Sequence, residues 1–143
     1  MELRPLGRTG IEVSVLGLGT VKLGRLRGLK YPAHAQPATL PSDEQALELL
    51  RTAAEVGINL IDTAPAYGIS DDRIGGLMER SGWFGGRDRW VVCTKAGEEF
   101  DESADGGNGA PSFDFSAAAV KASVERSLKR LRTDRLDVLL IHS

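Results

Sequence analysis

Four residues of this chain are of the types that move protons: Asp62, Tyr67, Lys95 and His142. Asp62, Lys95 and His142 each close a short apolar run, and Tyr67 follows five residues after Asp62. Taken singly, each has an ordinary explanation. A lysine after a strand is usually a solvated end, a lone histidine is more often structural, and Asp-Thr beside Pro65 forms turns. Taken together, they fit delivery of a proton to a carbonyl oxygen. A phenol with an unperturbed pKa of about 10 is a poor acid at neutral pH unless its anion is stabilised, which a neighbouring ammonium does. Lowering such a pKa by two or three units needs about 3 to 4 kcal/mol, attainable beside a charge in a partly dry site. Asp62 can keep Lys95 protonated and in place, and His142 can orient the substrate oxygen or share the proton transfer.

These residues need elements that bring them to one place. Ile58 to Asp62 is a branched-aliphatic run bounded by Gly57 and Pro65, without polar alternation, as expected of a strand buried on both faces. Trp90 to Thr94 and Leu136 to Ile141 read the same way, as does Val15 to Thr20, whose Gly17 and Gly19 permit close approach of a backbone or ligand. Gly17-Leu18-Gly19 lacks the third glycine of a dinucleotide fingerprint, since position 22 is Lys22, so a Rossmann reading fails. Helices separate the strands. Ser42 and Gln45 form a capping box ahead of Leu47, Leu50 and Ala54. Ser70 is expected to cap a second helix with Ile74, Leu77 and Met78 inward, weakened by Gly75 and Gly76. Ser116 begins a third with Val120, Val124, Leu128 and Leu131 at helical spacing.

The remainder reads as hairpin and loops. Met1 to Leu6 and Ile11 to Val15, joined through Gly7-Arg8-Thr9-Gly10, form a short N-terminal β-hairpin within residues 1–15. Val21 to Pro41, with Lys22, Arg25, Arg27 and Lys30, is expected to be a solvated basic loop. Ala96 to Phe115, acidic and then glycine-rich, is expected to be a solvated, flexible surface loop, and without regular ligand spacing no metal is expected there. The order is strand, helix, strand, helix, strand, helix, strand, an α/β chain with a parallel sheet, read as a single domain over residues 1–143. Parallel βα units present ligands at the carboxyl ends of their strands, where Asp62, Lys95 and His142 fall.

Composition narrows the function classes. With 18 Lys plus Arg against 20 Asp plus Glu, the net charge of -2 points to neither nucleic acid nor an anionic membrane. No apolar run approaches the roughly 20 residues of a membrane helix, and Met1-Glu2-Leu3-Arg4 does not start a secretory signal, so a cytoplasmic protein with small-molecule partners is expected. The single cysteine, Cys93, has no internal disulfide partner and is read as a packed, inert thiol.

Five stretches, in order along the chain, resemble the aldo-keto reductase superfamily: Leu16-Gly17-Leu18-Gly19-Thr20, Ile61 to Gly68, Val92-Cys93-Thr94-Lys95, Arg126 to Leu131, and Leu139-Leu140-Ile141-His142. The resemblance implies a (β/α)8 TIM barrel with an N-terminal hairpin closing its bottom, and NADPH-dependent reduction of an aldehyde or ketone. By the same resemblance Tyr67 is the proton donor, Lys95 and Asp62 tune it, and His142 orients the carbonyl as hydride arrives. Gly19, Thr20 and Val21 match the family's cofactor contact, and Asp62 would also reach the nicotinamide ribose. A barrel of this kind needs eight strands and about 250 residues, whereas this chain holds four, so the fold expected is a partial barrel. The elements that read the adenosine phosphate belong to the other half, which leaves NADH open beside NADPH. The chain is therefore expected to be the N-terminal half of a reductase, or a half-barrel that self-associates through open sheet edges. The competing readings are a non-catalytic nicotinamide-binding or regulatory module and an inert fragment.

Overall fold

The structure, a computed structural model, describes residues 1–28, 39–107 and 109–143. Strands β1 (Leu3–Pro5) and β2 (Glu12–Ser14) pair antiparallel as the expected hairpin. Next come β3 (Gly17–Gly19), helix α1 (Val21–Gly24), helix α2 (Asp43–Glu55) and β4 (Leu60–Asp62). A 3-10 turn at Pro65–Tyr67 leads into α3 (Ser70–Arg80) and β5 (Val91–Ala96). Then follow β6 (Glu98–Asp101), α4 (Ala104–Gly107), β7 (Ala110–Phe113), α5 (Ala117–Leu131) and β8 (Val138–Ile141). The central sheet has the order β3-β4-β5-β8, every neighbouring pair parallel.

Two of the three expected helix starts form as read. At α2, Ser42 Oγ accepts from the Gln45 amide at 3.2 Å and Gln45 Oε1 accepts from the Ser42 amide at 2.8 Å, which completes the capping box. At α5, Ser116 Oγ accepts from the Ala119 amide at 3.2 Å. Ser70 does not cap α3. It is the helix's first residue, and its buried hydroxyl donates to Thr20 Oγ1 at 2.9 Å instead. Tertiary contact outweighs local capping there, because a buried hydroxyl without a partner costs more than a missing cap.

One face of the sheet is covered by the helices. Ile61 and Val92 from the strands pack with Leu50, Ala53 and Ala54 of α2, Ile74, Leu77 and Met78 of α3, and Leu131 of α5. Gly75 does not weaken α3 so much as set its distance from α5. A Cβ on it would lie 2.2 Å from the Arg130 carbonyl oxygen, so the two backbones touch where glycine stands. The stripe that α5 buries is Ser123, Ser127 and Leu131, rather than the expected Val120, Val124 and Leu128, which are half-buried. The other face is the concave one. There Leu60, Cys93, Val138 and Leu140 face Leu6 and Val13 of the hairpin, which is tied to the start of β4 by Asn59. Asn59 Oδ1 accepts from the Ser14 amide at 2.7 Å, and its Nδ2 donates to the Glu12 carbonyl at 2.9 Å. The hairpin thus packs at the amino-terminal end of the strands, and Asp62 lines the same cavity from above.

Two loop expectations are corrected. Val21–Gly24 is helical, and Arg25 is 8% exposed rather than solvated. Its guanidinium donates to the carbonyls of Ala66, Arg27 and Gly28 and lies 3.5 Å over the Phe100 ring, so carbonyl oxygens and a ring face take the place of water. Lys30 and the middle of that loop lie outside the described residues. The segment after Ala96 is not one flexible loop. It folds into the β6–β7 hairpin, with Glu98 opposite Phe113 and Asp101 opposite Ala110. Ladder pairing and the stacking of Phe100 on Arg25 hold it over the rim. Cys93 is buried as expected, and burial, reinforced by nearby Asp62, pushes its thiol up to about 11, which keeps it unreactive. Among the described residues, no helix is long and apolar enough to cross a membrane.

Candidate active site

Strand pairing brings three of the four residues to one rim. Side chains alternate along a strand, so Leu60 and Asp62, Cys93 and Lys95, Val138 and Leu140, and then His142 all fall on the concave face. The register is a staircase: Asp62 pairs with Cys93, two residues before Lys95, and Lys95 pairs with Leu140, two residues before His142. Each step raises the next residue by about 7 Å along the strand direction. A lysine, with its long flexible stem, can bridge such a step where a shorter side chain could not.

Lys95 does reach back. Its Nζ donates to Asp62 Oδ1 at 2.7 Å, to the Thr63 carbonyl at 3.0 Å and to Tyr67 Oη at 3.1 Å. An ammonium has three N–H donors, and each has an acceptor here. Burial alone would lower the Lys95 pKa, but the hydrogen bonds to Asp62 and Tyr67 and the charge of Asp62 hold it above the ordinary lysine value. Lys95 is therefore a cation throughout the physiological range. The surrounding geometry is also set by Tyr67, which is brought in by the 3-10 turn rather than by a strand. Pro65 starts that turn, and Gly68, at φ +64, ends it where Gly24 passes so close that a Cβ would meet the Gly24 carbonyl at 2.2 Å. The ring of His142 stands edge-on to that of Tyr67, with centroids 5.8 Å apart. Burial lowers the His142 pKa, partly offset by Glu98, so the ring is neutral at neutral pH.

Beneath these groups runs a buried polar network that sequence reasoning missed. Asp71, 1% exposed, accepts from Thr63 Oγ1 at 2.6 Å and from Ser127 Oγ at 3.1 Å. Thr63 Oγ1 also meets Ser70 Oγ at 3.2 Å, and Thr20 Oγ1 donates to the Asp62 carbonyl at 2.9 Å. Asp71 thereby fixes Thr63, whose carbonyl receives Lys95. In the sequence it reads as an ordinary acid in the first turn of a helix. Its partners are eight and fifty-six residues away, so no local signal could have found them.

Burial raises the Asp71 pKa against the pull of its two hydroxyl donors. A carboxyl whose folded pKa is raised contributes stability at low pH and loses it as pH rises through that folded value. Asp71→Asn retains an acceptor for Thr63 and gains a donor for Ser127. It is expected to remove that part of the pH dependence and to cost little at neutral pH. Asp71→Ala leaves both hydroxyls without their acceptor and should cost about 1 to 3 kcal/mol at any pH. Urea unfolding of the three proteins at acid and neutral pH checks this, and parallel pH curves for the Asp and Asn forms would contradict it.

Of the expected cofactor contacts, Gly19 is exposed at the end of β3 with open space above it, and Val21 is half-buried at the start of α1. The Asp62 side chain is 37% exposed, which leaves part of its carboxylate accessible beside the ammonium. Thr20 is fully buried with its hydroxyl engaged internally, so it supports this rim instead of offering a side chain to a ligand. Among the described residues, no group of three or more His, Cys, Asp or Glu side chains is placed to hold a metal ion.

Comparison with known proteins agrees with this arrangement. Residues 15–143 match the model of the Aldo/keto reductase family. Over 99% of its length the chain is similar to L-galactose dehydrogenase of Arabidopsis thaliana, at 35% identity, covering 38% of that protein. A solved structure assigned as an aldo-keto reductase from Pseudomonas aeruginosa matches 99% of the chain at 50% identity with a TM-score of 0.79, over 47% of its own length. An aldo-keto reductase from Bacillus halodurans, solved in its holo form, matches 99% of the chain at 28% identity with a TM-score of 0.75, over 40% of its own length. The chain thus spans less than half the length of these relatives, and its four parallel strands are a partial (β/α)8 barrel. By its motifs, its fold and these matches, the chain belongs to the aldo/keto reductase family.

Proposed function

We propose that this chain carries the proton-transfer half of an NADPH-dependent reductase that converts an aldehyde or ketone to an alcohol. The observation that carries the reading is the commitment of all three Lys95 donors, one of them to Tyr67 Oη. A cation held 3.1 Å from the phenol oxygen stabilises the phenolate that forms when the proton leaves, more strongly in a partly dry site than in water. Tyr67 is the proton donor to the carbonyl oxygen. Asp62 keeps Lys95 charged and directed at the phenol. His142, neutral at neutral pH, is not the acid and contributes a hydrogen bond to the substrate.

The residues present fit the nicotinamide end of the cofactor. Open space above Gly19 lies one strand from Asp62, and a half-exposed carboxylate suits ribose hydroxyls. Gly19, Val21 and Asp62 would hold that end, with Thr20 supporting them from behind. When bound, the reduced nicotinamide supplies the hydride that goes to the carbonyl carbon. Tyr67 supplies the proton that goes to the oxygen, and solvent returns a proton to the phenolate afterwards. The intact ammonium cluster favours this reading over a non-catalytic module, which would have no use for a charge held against a phenol.

The test is oxidation of NADPH that depends on an added aldehyde or ketone. It is to be measured for the 143-residue chain alone and for the chain fused to the second barrel half of its Pseudomonas aeruginosa neighbour. The fusion is expected to turn over carbonyls and the chain alone to do so weakly or not at all. A folded fusion that binds NADPH and reduces no member of a broad carbonyl panel would overturn the proposal in favour of a sensor.

A further inference from the structure

Arg25 has no role in the proton transfer just described, yet its guanidinium is built into the turn that carries Tyr67. Nη1 donates to the Ala66 carbonyl at 2.9 Å, Nε to the Arg27 carbonyl at 2.8 Å and Nη2 to the Gly28 carbonyl at 3.0 Å. Three nitrogens thus serve three carbonyls, and the face of the same plane lies 3.5 Å over the Phe100 ring. That ring is itself wedged: a Cβ on Gly109 would collide with it, and one on Gly28 would lie 3.1 Å from it. Glu98 Oε1, 3.8 Å from Nη1, balances the charge, and the Arg25 and Glu98 side chains are only 9% and 14% exposed. The backbone beside Arg25 is docked on the same turn. The Gly24 carbonyl accepts from the Ile69 amide at 3.1 Å, and a Cβ on Gly24 would collide with the Tyr67 carbonyl and the Ser70 amide.

A 3-10 turn of three residues has little stiffness of its own. Pro65–Tyr67 is closed by a hydrogen bond from the Tyr67 amide to the Ala64 carbonyl at 2.9 Å, so what holds its remaining carbonyls decides where the phenol stands. We propose that Arg25 is a positioning residue for the proton transfer: its guanidinium, acting through the Ala66 carbonyl, fixes the turn so that the Tyr67 oxygen stays at the Lys95 ammonium. The inference rests on the reductase reading above. Lys95 holds the oxygen end of the Tyr67 side chain and Arg25 holds the backbone end, and a side chain held at both ends presents its proton in one place. A planar fork that donates in several fixed directions and stacks on a ring suits this task, whereas a lysine ammonium, compact and on a flexible stem, does not. Because the same plane holds Phe100, the β6–β7 hairpin and the residues just after α1 are tied to the position of the acid.

In the fusion protein, Arg25→Ala is expected to lower kcat by about 10²-fold, the cost of a misplacement of roughly 1 Å at a reacting group, with KM and NADPH affinity changed much less. The solvent deuterium isotope effect on kcat is expected to rise, because a misplaced phenol makes proton transfer the slow step. Guanidinium, added well below denaturing concentrations, is expected to refill the slot and restore much of the rate, whereas ammonium is not. Arg25→Lys is expected to behave like Arg25→Ala, and it decides by the same readouts should Arg25→Ala not fold. A role confined to packing would lower the folded fraction and leave the isotope effect at the parent's value. That result, or full activity in Arg25→Lys, would overturn the proposal. Fluorine NMR of the fluorotyrosine-labelled chain gives a readout independent of turnover, with Tyr67→Phe separating Tyr67 from the chain's other tyrosine. The Tyr67 signal is expected to be single and narrow in the parent, broadened or divided in Arg25→Ala, and restored by guanidinium. A signal identical in the two proteins would count against the proposal. Absence of turnover by the parent fusion would sink the reductase reading, while the fluorine signals would still decide whether Arg25 fixes the phenol.

Discussion

Tyr67→Phe is expected to lower kcat for carbonyl reduction by about 10²- to 10⁴-fold, the range over which a positioned acid acts, with NADPH affinity nearly unchanged. The substitution removes one oxygen and little else. Lys95 Nζ keeps two of its three acceptors, Asp62 Oδ1 and the Thr63 carbonyl, so the ammonium stays in place and charged. The ring stays as well, since Nζ lies 4.7 Å from its centroid and His142 packs on its edge. Loss of kcat without loss of binding separates a proton donor from a residue that shapes the pocket. Steady-state kinetics and cofactor titration of the fused barrel supply both numbers. Turnover equal to the parent's would remove Tyr67 from the chemistry.

Gly75→Ala is expected to destabilise the chain by about 2 to 3 kcal/mol, although alanine is the better helix former by about 1 kcal/mol. The added methyl group would lie 2.2 Å from the Arg130 carbonyl oxygen and 2.7 Å from the Leu131 carbonyl carbon. Both are backbone atoms, so no side chain can swing aside. The helices would have to part by roughly 1 Å to restore ordinary contact, loosening a close-packed layer that includes Leu131 and the hydrogen bond from Ser127 to Asp71. Gly76 is the control. A Cβ there would meet only the flexible end of Arg132 at 3.6 Å, so Gly76→Ala is expected to be neutral or stabilising by up to about 1 kcal/mol. Urea midpoints of the two variants should move in opposite directions or differ by the full clash. Equal midpoints would show that α3 and α5 can slide apart at no cost.

The readings that held came from residues whose signals are local. Continuous aliphatic runs marked β4, β5 and β8, and Ser42 with Gln45 marked the start of α2, because a capping box satisfies backbone donors within four residues. The readings that failed had partners far along the chain. Ser70 looked like a cap and is a buried link to Thr20, fifty residues back. Arg25 looked like one of several solvated basic residues. It is buried because the nearby carbonyls of Arg27 and Gly28 and the distant carbonyl of Ala66 converge on its guanidinium, with the Phe100 ring beneath it. Glu98 was one acid in an acidic stretch, and only the folding of β6 against β7 turns it toward His142.

The sequence by itself determined the parallel α/β class, the identities of Asp62, Tyr67, Lys95 and His142, and their order at the ends of three strands. Strand periodicity and residue chemistry are local properties, and the partial barrel was legible only through the resemblance of the motifs to the aldo-keto reductases. Only the tertiary structure decided that these residues meet. The two-residue step between neighbouring strands sets how far Lys95 must reach, and the reach brings its ammonium to Asp62 and Tyr67 at once. Likewise, only packing could show that Asp71 braces Thr63 from below and that Glu98 stands behind His142. Register and long-range hydrogen bonds join residues the chain keeps apart, and no local pattern records which of many acids will be the one that is buried.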